Sequence, residues 1–315
     1  MENKIIASTK SLCPICLKKI SADYISENEK VYLFKKCSLH GEFKTLVWDN
    51  EEHFRKFYKF NMNKNNLQNT KKIKLGCPFD CGICENHKQA TCCVLLEVTD
   101  RCNLNCPVCF AKANDEIFSD PSLEKISEWY DMLLKSGGPF NIQLSGGEPT
   151  VRDDLDEVIK IGRDKGFDFF QLNTNGIRIG EDIEYLKKLS DAGLNTVFLQ
   201  FDGFLDSTYK YFRGDNILDK KLKAIENCKE LNIGIVLVPV IKKGINDKEI
   251  GKIIKFAIDN MPHVRSVHFQ PMSFFGRYEK EPNNEDRMTI YKVLEEIETQ
   301  TDQKMKIKNF ESGSA

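Results

Sequence analysis

From residue 93 onward, short apolar runs alternate with longer segments in which apolar side chains recur every three or four positions. The short runs predict buried strands and the longer amphipathic segments predict helices. The predicted strands span residues 94–98, 141–144, 169–173, 196–201, 233–240 and 266–270, and the predicted helices span 123–135, 154–164, 181–189, 220–230 and 247–260. Repeated strand-then-helix units predict parallel strands joined by right-handed crossovers. We therefore expect an α/β fold, an open barrel built from six such units.

The pattern before residue 93 is different. A short alternating stretch at 30–34 predicts a strand between Cys-Pro-Ile-Cys at 13–16 and Cys-Ser-Leu-His at 37–40. Residues 61–70 are polar, rich in Asn and aperiodic, which predicts a linker. We divide the chain into an N-terminal module at 1–60, a linker and cysteine-rich segment at 61–92, a barrel at 93–275, and a C-terminal helix and tail at 276–315.

Composition narrows the class of protein. The 46 basic and 47 acidic residues nearly cancel, which argues against a nucleic-acid partner. The first twenty residues contain no apolar run typical of a secretion signal, and the longest apolar runs, such as 235–238, are too short to span a bilayer. We expect a soluble protein of the cytoplasm.

The cysteines are grouped as metal ligands are. Eleven of the twelve precede residue 110, and nothing directs the chain to an oxidising compartment where disulfides form. Cys228 stands apart in a helical pattern, which predicts a small buried side chain.

The first group combines three cysteines and a histidine. Cys13, Cys16, Cys37 and His40 have the spacing of a tetrahedral zinc-ribbon or rubredoxin-like site. A histidine ligand favours zinc over mononuclear iron, because rubredoxin-type iron takes four thiolates. We expect the metal to fold a segment too small for its own core; a nucleic-acid-binding ribbon is the alternative, although no basic and aromatic stripe accompanies it.

The second group predicts an auxiliary 4Fe-4S cluster. Cys77, Cys81 and Cys84 repeat an x3, x2 spacing, and Cys92 or Cys93 can supply the fourth thiolate. We favour Cys92, because Cys93 opens a predicted strand. A second zinc site is the alternative.

The third group is Cys102-x3-Cys106-x2-Cys109, directly after the first predicted barrel strand. Three thiolates at this spacing can hold a four-iron cluster and leave one iron free for a substrate or cofactor. A structural zinc knuckle is the alternative.

In β/α barrels the functional groups lie at the carboxyl ends of the strands. This rule selects residues at the carboxyl ends of the second, third and fourth predicted strands, most of them polar or glycine. They are Gly146, Gly147, Glu148, Pro149, Asn173, Asn175, Gln200 and Asp202. Each could instead cap a turn, but together they outline a polar ring around the triad.

The triad and Gly146-Gly147-Glu148-Pro149 together resemble the radical S-adenosylmethionine (SAM) superfamily. The resemblance implies a partial (β/α)6 TIM-like barrel in which Cys102, Cys106 and Cys109 hold the catalytic 4Fe-4S cluster. It also implies that one electron cleaves SAM to a 5′-deoxyadenosyl radical, which takes hydrogen from an unactivated C–H bond.

The same resemblance implies roles for the strand-end residues. The Gly-Gly-Glu-Pro segment binds the amino-acid end of SAM, and Asn173, Asn175, Gln200 and Asp202 are candidates for its ribose or carboxylate. The residue before the last triad cysteine is usually aromatic and lies near the adenine; here it is Val108, and the aromatic residue Phe110 follows the cysteine. We therefore include Phe110 as a candidate cofactor contact.

Residues 76–84, 87–92, 97–111 and 269–278 look like the tetraether lipid synthase group, members of which are also described as methyltransferases acting on a hydroxymethyl-dihydropterin. This likeness implies carbon–carbon coupling of lipid alkyl chains, with C-methylation of a pterin as the alternative and a multi-cluster electron carrier as a third hypothesis. It implies a lipid or small-molecule substrate and a low-potential electron donor such as ferredoxin or flavodoxin. It also allows peripheral association with a membrane. The group continues into a further cysteine-rich region, so we expect either a truncated form or a reaction that does without that last cluster.

Overall fold

The computed structural model describes residues 4–58, 72–80, 91–114 and 119–312. The chain forms two compact units, one from the segments 1–90 and 283–315 and the other from 91–282. The predicted linker at 61–70 lies outside the described residues, as do Cys81 and Cys84 of the predicted auxiliary cluster.

The first unit begins with a four-stranded antiparallel sheet in which each strand pairs with the next. Its elements are β1 (Lys4–Leu12), β2 (Lys19–Glu27), β3 (Lys30–Cys37), β4 (Gly41–Trp48) and helix α1 (Glu51–Tyr58). We predicted only the strand at 30–34. Strands β1 and β2 are largely polar and carry little apolar alternation, whereas the alternation in β4 was missed. A small core of Val31, Trp48 and Phe54 holds the sheet and helix together.

The second unit is built on six parallel strands in the order β5-β6-β7-β8-β9-β11, which confirms the predicted α/β barrel architecture. These strands are β5 (Cys93–Glu97), β6 (Asn141–Ser145), β7 (Phe170–Thr174), β8 (Thr196–Gln200), β9 (Gly234–Val238) and β11 (Val264–Val267). The predicted strand at 233–240 ends early because Pro239 has no N–H for the ladder. Two short strands, β10 (Val240–Ile241) and β12 (Gln270–Pro271), form a separate parallel pair.

Seven helices of the second unit follow its strands within the described residues. They are α2 (Leu123–Lys135), α3 (Leu155–Asp164), α4 (Ile177–Glu181), α5 (Ile183–Asp191), α6 (Asp206–Arg213), α7 (Leu218–Glu230) and α8 (Ile250–Asp259). We did not predict α4 and α6, which are short. Helix α6 is mostly polar, and only Thr208, Tyr209 and Phe212 form its buried face.

Alternation along the strands separates the core from the concave face of the sheet. Apolar residues such as Leu144, Leu172 and Leu199 are fully buried against the helices. Because successive side chains point to opposite faces, their neighbours Gln143, Asn173 and others point to the concave face. Cys228 is fully buried in this core, as predicted.

The last helix, α9 (Ile290–Gln300), belongs to the first unit. Asn284, shortly before it, accepts a hydrogen bond from the Leu46 backbone N–H at 2.8 Å and donates to the Lys44 carbonyl at 3.1 Å. The Asn284 side chain thus satisfies backbone groups of β4, the last strand of the sheet. Within the described part of the chain, no helix has both the length and the apolar character needed to cross a membrane.

Candidate functional site

A cavity of about 680 Å³ lies at the carboxyl ends of the parallel strands. Every barrel residue singled out from the sequence lines it except Pro149 and Asp202, which are buried. The residues brought together are Cys102, Cys106, Cys109, Phe110, Gly146, Gly147, Glu148, Asn173, Asn175 and Gln200. Its volume falls in the range of roughly 300–1,000 Å³ that is typical of small-molecule sites.

The three triad thiols are partly buried in this cavity. Burial raises the pKa of the Cys102 thiol to about 12 and also raises the pKa of Cys106, where the Arg213 guanidinium opposes the effect. Binding of iron deprotonates such thiols outright. Three thiols in one loop can hold a four-iron cluster and leave one iron free.

Two side chains hold the triad loop by its backbone. Asn114 accepts from the Cys102 N–H at 2.9 Å and donates to the Cys102 and Leu104 carbonyls, each at 3.1 Å. Arg277 donates to the Cys106 carbonyl at 2.8 Å and to the Ala113 carbonyl at 2.7 Å. Arg277 and Cys109 also exchange two backbone hydrogen bonds of 2.8 and 2.9 Å. No motif marks either residue for this role, since Arg277 is 171 residues from Cys106 along the chain.

The two glycines after β6 let this segment pack against the start of the triad loop. A Cβ at Gly146, where φ is +136°, would lie 2.1 Å from the Thr99 carbonyl oxygen, and one at Gly147 would lie 2.3 Å from that of Arg101. The Gly147 and Glu148 N–H groups donate to the same two carbonyls at 2.8 and 2.9 Å. We expected the glycines to allow close approach of a ligand; the structure adds close packing of backbone on backbone.

Glu148 ties the ends of β6 and β7 together. Its buried carboxylate accepts from the Thr150 N–H at 3.1 Å, the Thr150 hydroxyl at 2.6 Å and the Thr174 hydroxyl at 2.7 Å, all at Oε1. Oε2 accepts only from the Asn175 N–H, at 2.7 Å, among the contacts resolved here. A carboxylate oxygen can accept more than one hydrogen bond, so Oε2 has capacity for a ligand donor such as an ammonium group.

Asp202 is fully buried and pairs with Arg213, at 2.8 Å from Nε and 3.0 Å from Nη2. It also accepts from the Val240 N–H at 3.1 Å, and Gln200 donates to it. Arg213 lines the cavity together with Cys106, and its positive charge opposes the rise in the pKa of the Cys106 thiol. The carboxylate at the end of β8 therefore orients an arginine beside the triad, and the sequence held no sign of this because helix α6, which carries Arg213, was not predicted.

Lys221 on α7 is a fully buried lysine that no motif marked. It donates to Gln200 Oε1 at 2.7 Å and to the Asn175 carbonyl, which joins the ends of β7 and β8. Burial, reinforced by Arg213, lowers the pKa of Lys221 to about 7. In the sequence this lysine looks like part of the solvated face of an amphipathic helix.

Aromatic side chains form part of the apolar lining of the cavity, together with aliphatic residues such as Leu104, Val238 and Met272. Phe110 and Phe275 are exposed and meet edge to face with ring centroids 6.2 Å apart. Phe198 and His268 form a second pair at 5.3 Å. The predicted contact between Phe110 and a cofactor adenine stays a prediction.

The N-terminal metal site is complete in the structure. The ligand atoms of Cys13, Cys16, Cys37 and His40 all lie within 4.8 Å of one another, as predicted. Hydrogen bonds from the Leu39 backbone and from His40 lower the pKa of the Cys37 thiol to about 6, which favours the thiolate that a metal binds. This arrangement fits one tetrahedral zinc ion.

The auxiliary cluster is only partly covered by the structure, because Cys81 and Cys84 lie outside the described residues. Cys77 is exposed in a turn where the Asp80 carboxylate accepts from the N–H groups of Lys74, Leu75 and Gly76. Cys92 is exposed and Cys93, the first residue of β5, is partly buried. The cluster and its fourth ligand stay predictions.

A six-stranded parallel barrel that presents three thiols and a Gly-Gly-Glu segment at its strand ends defines a class of radical-forming, cluster-dependent enzymes. The Radical SAM superfamily pattern matches residues 96–257, just over half of the chain, and the HMPTM N-terminal zinc ribbon domain matches residues 5–49. The chain belongs to the radical SAM superfamily. The family implies a 4Fe-4S cluster and SAM, and the thiols and polar groups of this cavity fit both.

Two curated relatives illustrate the similarity. The chain is 48% identical over 299 residues to a 7,8-dihydro-6-hydroxymethylpterin dimethyltransferase of Methanocaldococcus jannaschii, covering 93% of this chain and 58% of that protein. It is 30% identical over 193 residues to a GTP 3′,8-cyclase of Clostridium perfringens, covering 60% of this chain and 59% of that protein. The chain thus spans less than two thirds of the length of these relatives.

Solved structures support the fold. SuiB of Streptococcus suis bound to precursor peptide SuiA superposes with a TM-score of 0.57 at 15% identity, covering 92% of this chain and 72% of that chain. Native anSMEcpe with bound AdoMet gives a TM-score of 0.53 at 18% identity, covering 68% of this chain and 63% of that chain. At such low identity the likeness concerns the fold alone.

Proposed function

We propose that this chain carries the radical-generating part of an enzyme that C-methylates a pterin. The observation that carries the proposal is the 48% identity, over 93% of this chain, to a protein named for dimethylation of 7,8-dihydro-6-hydroxymethylpterin. When bound, the cluster and SAM would supply a 5′-deoxyadenosyl radical that takes hydrogen from a substrate C–H bond, and the methyl group that replaces this hydrogen would come from a separate one-carbon donor. The likeness to tetraether lipid synthases, which predicted lipid coupling, has no support among these relatives, and the pterin alternative takes its place.

In this proposal the chain's own residues bind and orient the reactants. Cys102, Cys106 and Cys109 hold the cluster, while Gly146, Gly147 and Glu148 receive the amino-acid end of SAM. Asn173, Asn175 and Gln200 line the same cavity and offer amide groups to ribose or carboxylate oxygens. Asp202 acts indirectly, because its carboxylate positions Arg213.

The lining of the cavity is compatible with a heterocyclic substrate. A lipid chain favours a tunnel of apolar side chains, whereas a flat heterocycle favours aromatic rings beside polar groups. Here Phe198 and His268 share the cavity with the carboxamides of Gln143 and Gln200. GTP, named in the second relative, carries a guanine with the same 2-amino-4-oxopyrimidine ring as a pterin, which also favours this substrate class.

Radical formation requires one electron per cleavage, which we expect from a low-potential ferredoxin or flavodoxin. The test uses anaerobically iron-loaded protein, dithionite, SAM and 7,8-dihydro-6-hydroxymethylpterin deuterated at carbon. We expect 5′-deoxyadenosine that contains deuterium from the pterin. Unlabelled 5′-deoxyadenosine with the pterin, together with labelled product from a deuterated alkyl lipid, would overturn the proposal.

Two variants separate cofactor cleavage from folding. The Cys102/Cys106/Cys109 triple alanine variant should lose 5′-deoxyadenosine formation. Cys13→Ala, which removes a ligand of the ribbon, should mainly lower solubility, and the soluble fraction should still cleave SAM. If both proteins cleaved SAM like the wild type, the assignment of the triad would be wrong.

A further inference from the structure

The cavity extends deeper into the barrel than the strand-end residues. Leu95, Gln143 and Phe198 come from the middle of β5, β6 and β8, and all three line it. Gln143 lies two residues before the end of β6, which is roughly 7 Å further into the barrel. The cavity thus continues inward from the Gly146-Gly147 segment.

Gln143 brings a carboxamide to this inner part. Its register neighbours on the concave face are Leu95 on β5, which cannot hydrogen-bond, and Gln171 on β7. Gln171 donates instead to Asn173 Oδ1 at 3.3 Å. Among the described residues, the Gln143 side chain has no hydrogen-bond partner, so its amide hydrogens and its oxygen are available to a ligand.

An aromatic pair faces the same space. The rings of Phe198 and His268 lie 5.3 Å apart at an interplanar angle of 59°. Gln143 pairs in register with Gln171, and Phe198 pairs with Asn173, two residues closer to the strand ends. Because β8 is also two strands from β6, the backbones of Phe198 and Gln143 are roughly 12 Å apart, a span that a bicyclic ring between the two side chains can bridge. Partial burial lowers the pKa of His268, which keeps the imidazole neutral near pH 7.

We propose that Gln143 recognises the amide-like edge of a flat, uncharged heterocycle whose ring packs against Phe198 and His268. The inference rests on the proposed function and names the part of a pterin that is recognised, the 2-amino-4-oxopyrimidine edge. That edge carries adjacent donors and acceptors, which a carboxamide matches with two hydrogen bonds. An alkyl chain in the same space would bury the Gln143 amide without a partner, which is unfavourable.

The test measures binding rather than turnover. Equilibrium dialysis of the anaerobic, iron-loaded chain is carried out with 6-hydroxymethylpterin and with 6-hydroxymethylpteridine, which has the same bicyclic ring but lacks the 2-amino and 4-oxo groups. We expect the wild type to prefer the pterin. Gln143→Leu should weaken pterin binding by about tenfold or more and bring the ratio of the two affinities towards one, because the lost hydrogen bonds are those that distinguish the probes.

Two further variants control for the loss of ring packing and for a Gln→Leu change away from the cavity. Phe198→Leu should weaken both probes equally, because ring packing does not distinguish them. Gln300→Leu makes the same chemical change on α9, in the other unit, and should leave both affinities unchanged. Iron content equal to that of the wild type shows that a variant has folded.

The outcomes distinguish this inference from the proposed function. Pterin binding by the wild type with unchanged affinity and selectivity in Gln143→Leu would overturn the inference alone. Loss of SAM binding in Gln143→Leu with unchanged pterin binding would assign Gln143 to the cofactor, which also overturns it. No binding of pterin by the wild type would overturn both.

Discussion

At the scale of single residues, two basic side chains of the second unit, Lys221 and Arg213, are held away from solvent. Lys221 and Arg213 are basic residues drawn into the second unit beside the triad, where Asp202 and the amides of the strand ends compensate them. Charged groups are rarely buried without such partners. These residues order the carboxyl ends of β7 and β8, where the cofactor candidates Asn175 and Gln200 lie.

Lys221→Met tests this burial through the pH dependence of stability. The pKa of Lys221 is about 7 in the folded protein and 10.5 for an exposed lysine, so between these values the unfolded chain binds more protons. The free energy of unfolding of the wild type should therefore rise with pH in this window. Its slope should exceed that of the variant by at most about 1.4 kcal/mol per pH unit. Urea unfolding between pH 7 and 9 measures the two slopes. Equal slopes would contradict the burial of a titrating lysine.

Gly146→Ala tests the packing between the segment after β6 and the triad loop. The new Cβ would lie 2.1 Å from the Thr99 carbonyl oxygen, so the backbone must move. We expect a loss of at least about 3 kcal/mol in the free energy of unfolding, from overpacking plus the unfavourable φ. Iron content after reconstitution should fall as well.

Gly166→Ala is the matched control for this change. Gly166 also has a positive φ, +91°, but a Cβ there has nothing within 4 Å. It should cost only about 1 kcal/mol from the backbone conformation. A similar loss in both variants would mean that contact with Thr99 is unimportant.

At the scale of elements, the triad loop takes its shape from segments distant in the chain. Arg277 and Asn114 hold its carbonyl and amide groups, and the Gly-Gly segment after β6 packs against its start. The loop has no regular structure of its own that could hold three thiols in place. Its geometry therefore depends on these neighbours.

Arg277→Gln should weaken retention of the cluster without removing a ligand. Loss of the hydrogen bonds to the Cys106 and Ala113 carbonyls frees the loop, and residues that orient metal ligands commonly contribute about tenfold or more to metal affinity. The measurement is the rate of iron loss to a chelator, followed by the visible absorbance of the cluster. Lys280→Gln removes a nearby exposed charge and should not change that rate. Equal rates in both variants would exclude a role for Arg277.

At the scale of the whole molecule, the two units rely on different sources of stability. The second unit has one continuous core that runs along its sheet and helices. The core of the ribbon sheet includes Val31, Trp48 and Phe54 and is small, so the Cys13, Cys16, Cys37 and His40 site must contribute to its folding.

Removal of zinc should therefore unfold one sheet and spare the other. After chelation, or in Cys13→Ala, the backbone amides of β3 and β4 should lose protection from hydrogen exchange, while those of β7 and β8 keep it. Cys228→Ala removes a buried thiol from the other core and should leave β3 and β4 protected. Retained protection of β3 and β4 without metal would mean that the ribbon folds on its apolar core alone.

The sequence by itself determined the six parallel strands, the ribbon ligands and the triad with its Gly-Gly-Glu segment. Each of these depends on local information, namely the period of apolar residues or the spacing of ligands within a short stretch. The polar strands β1 and β2 and the short helix α6 lacked such a signal. Only the tertiary structure decided that Asp202 faces Arg213, that Lys221 is buried, and that Gln143 lines the cavity with no hydrogen-bond partner among the residues that the structure describes. The reason is physical: burial and hydrogen-bond partners depend on residues brought together from distant parts of the chain, and periodicity does not encode which of them meet.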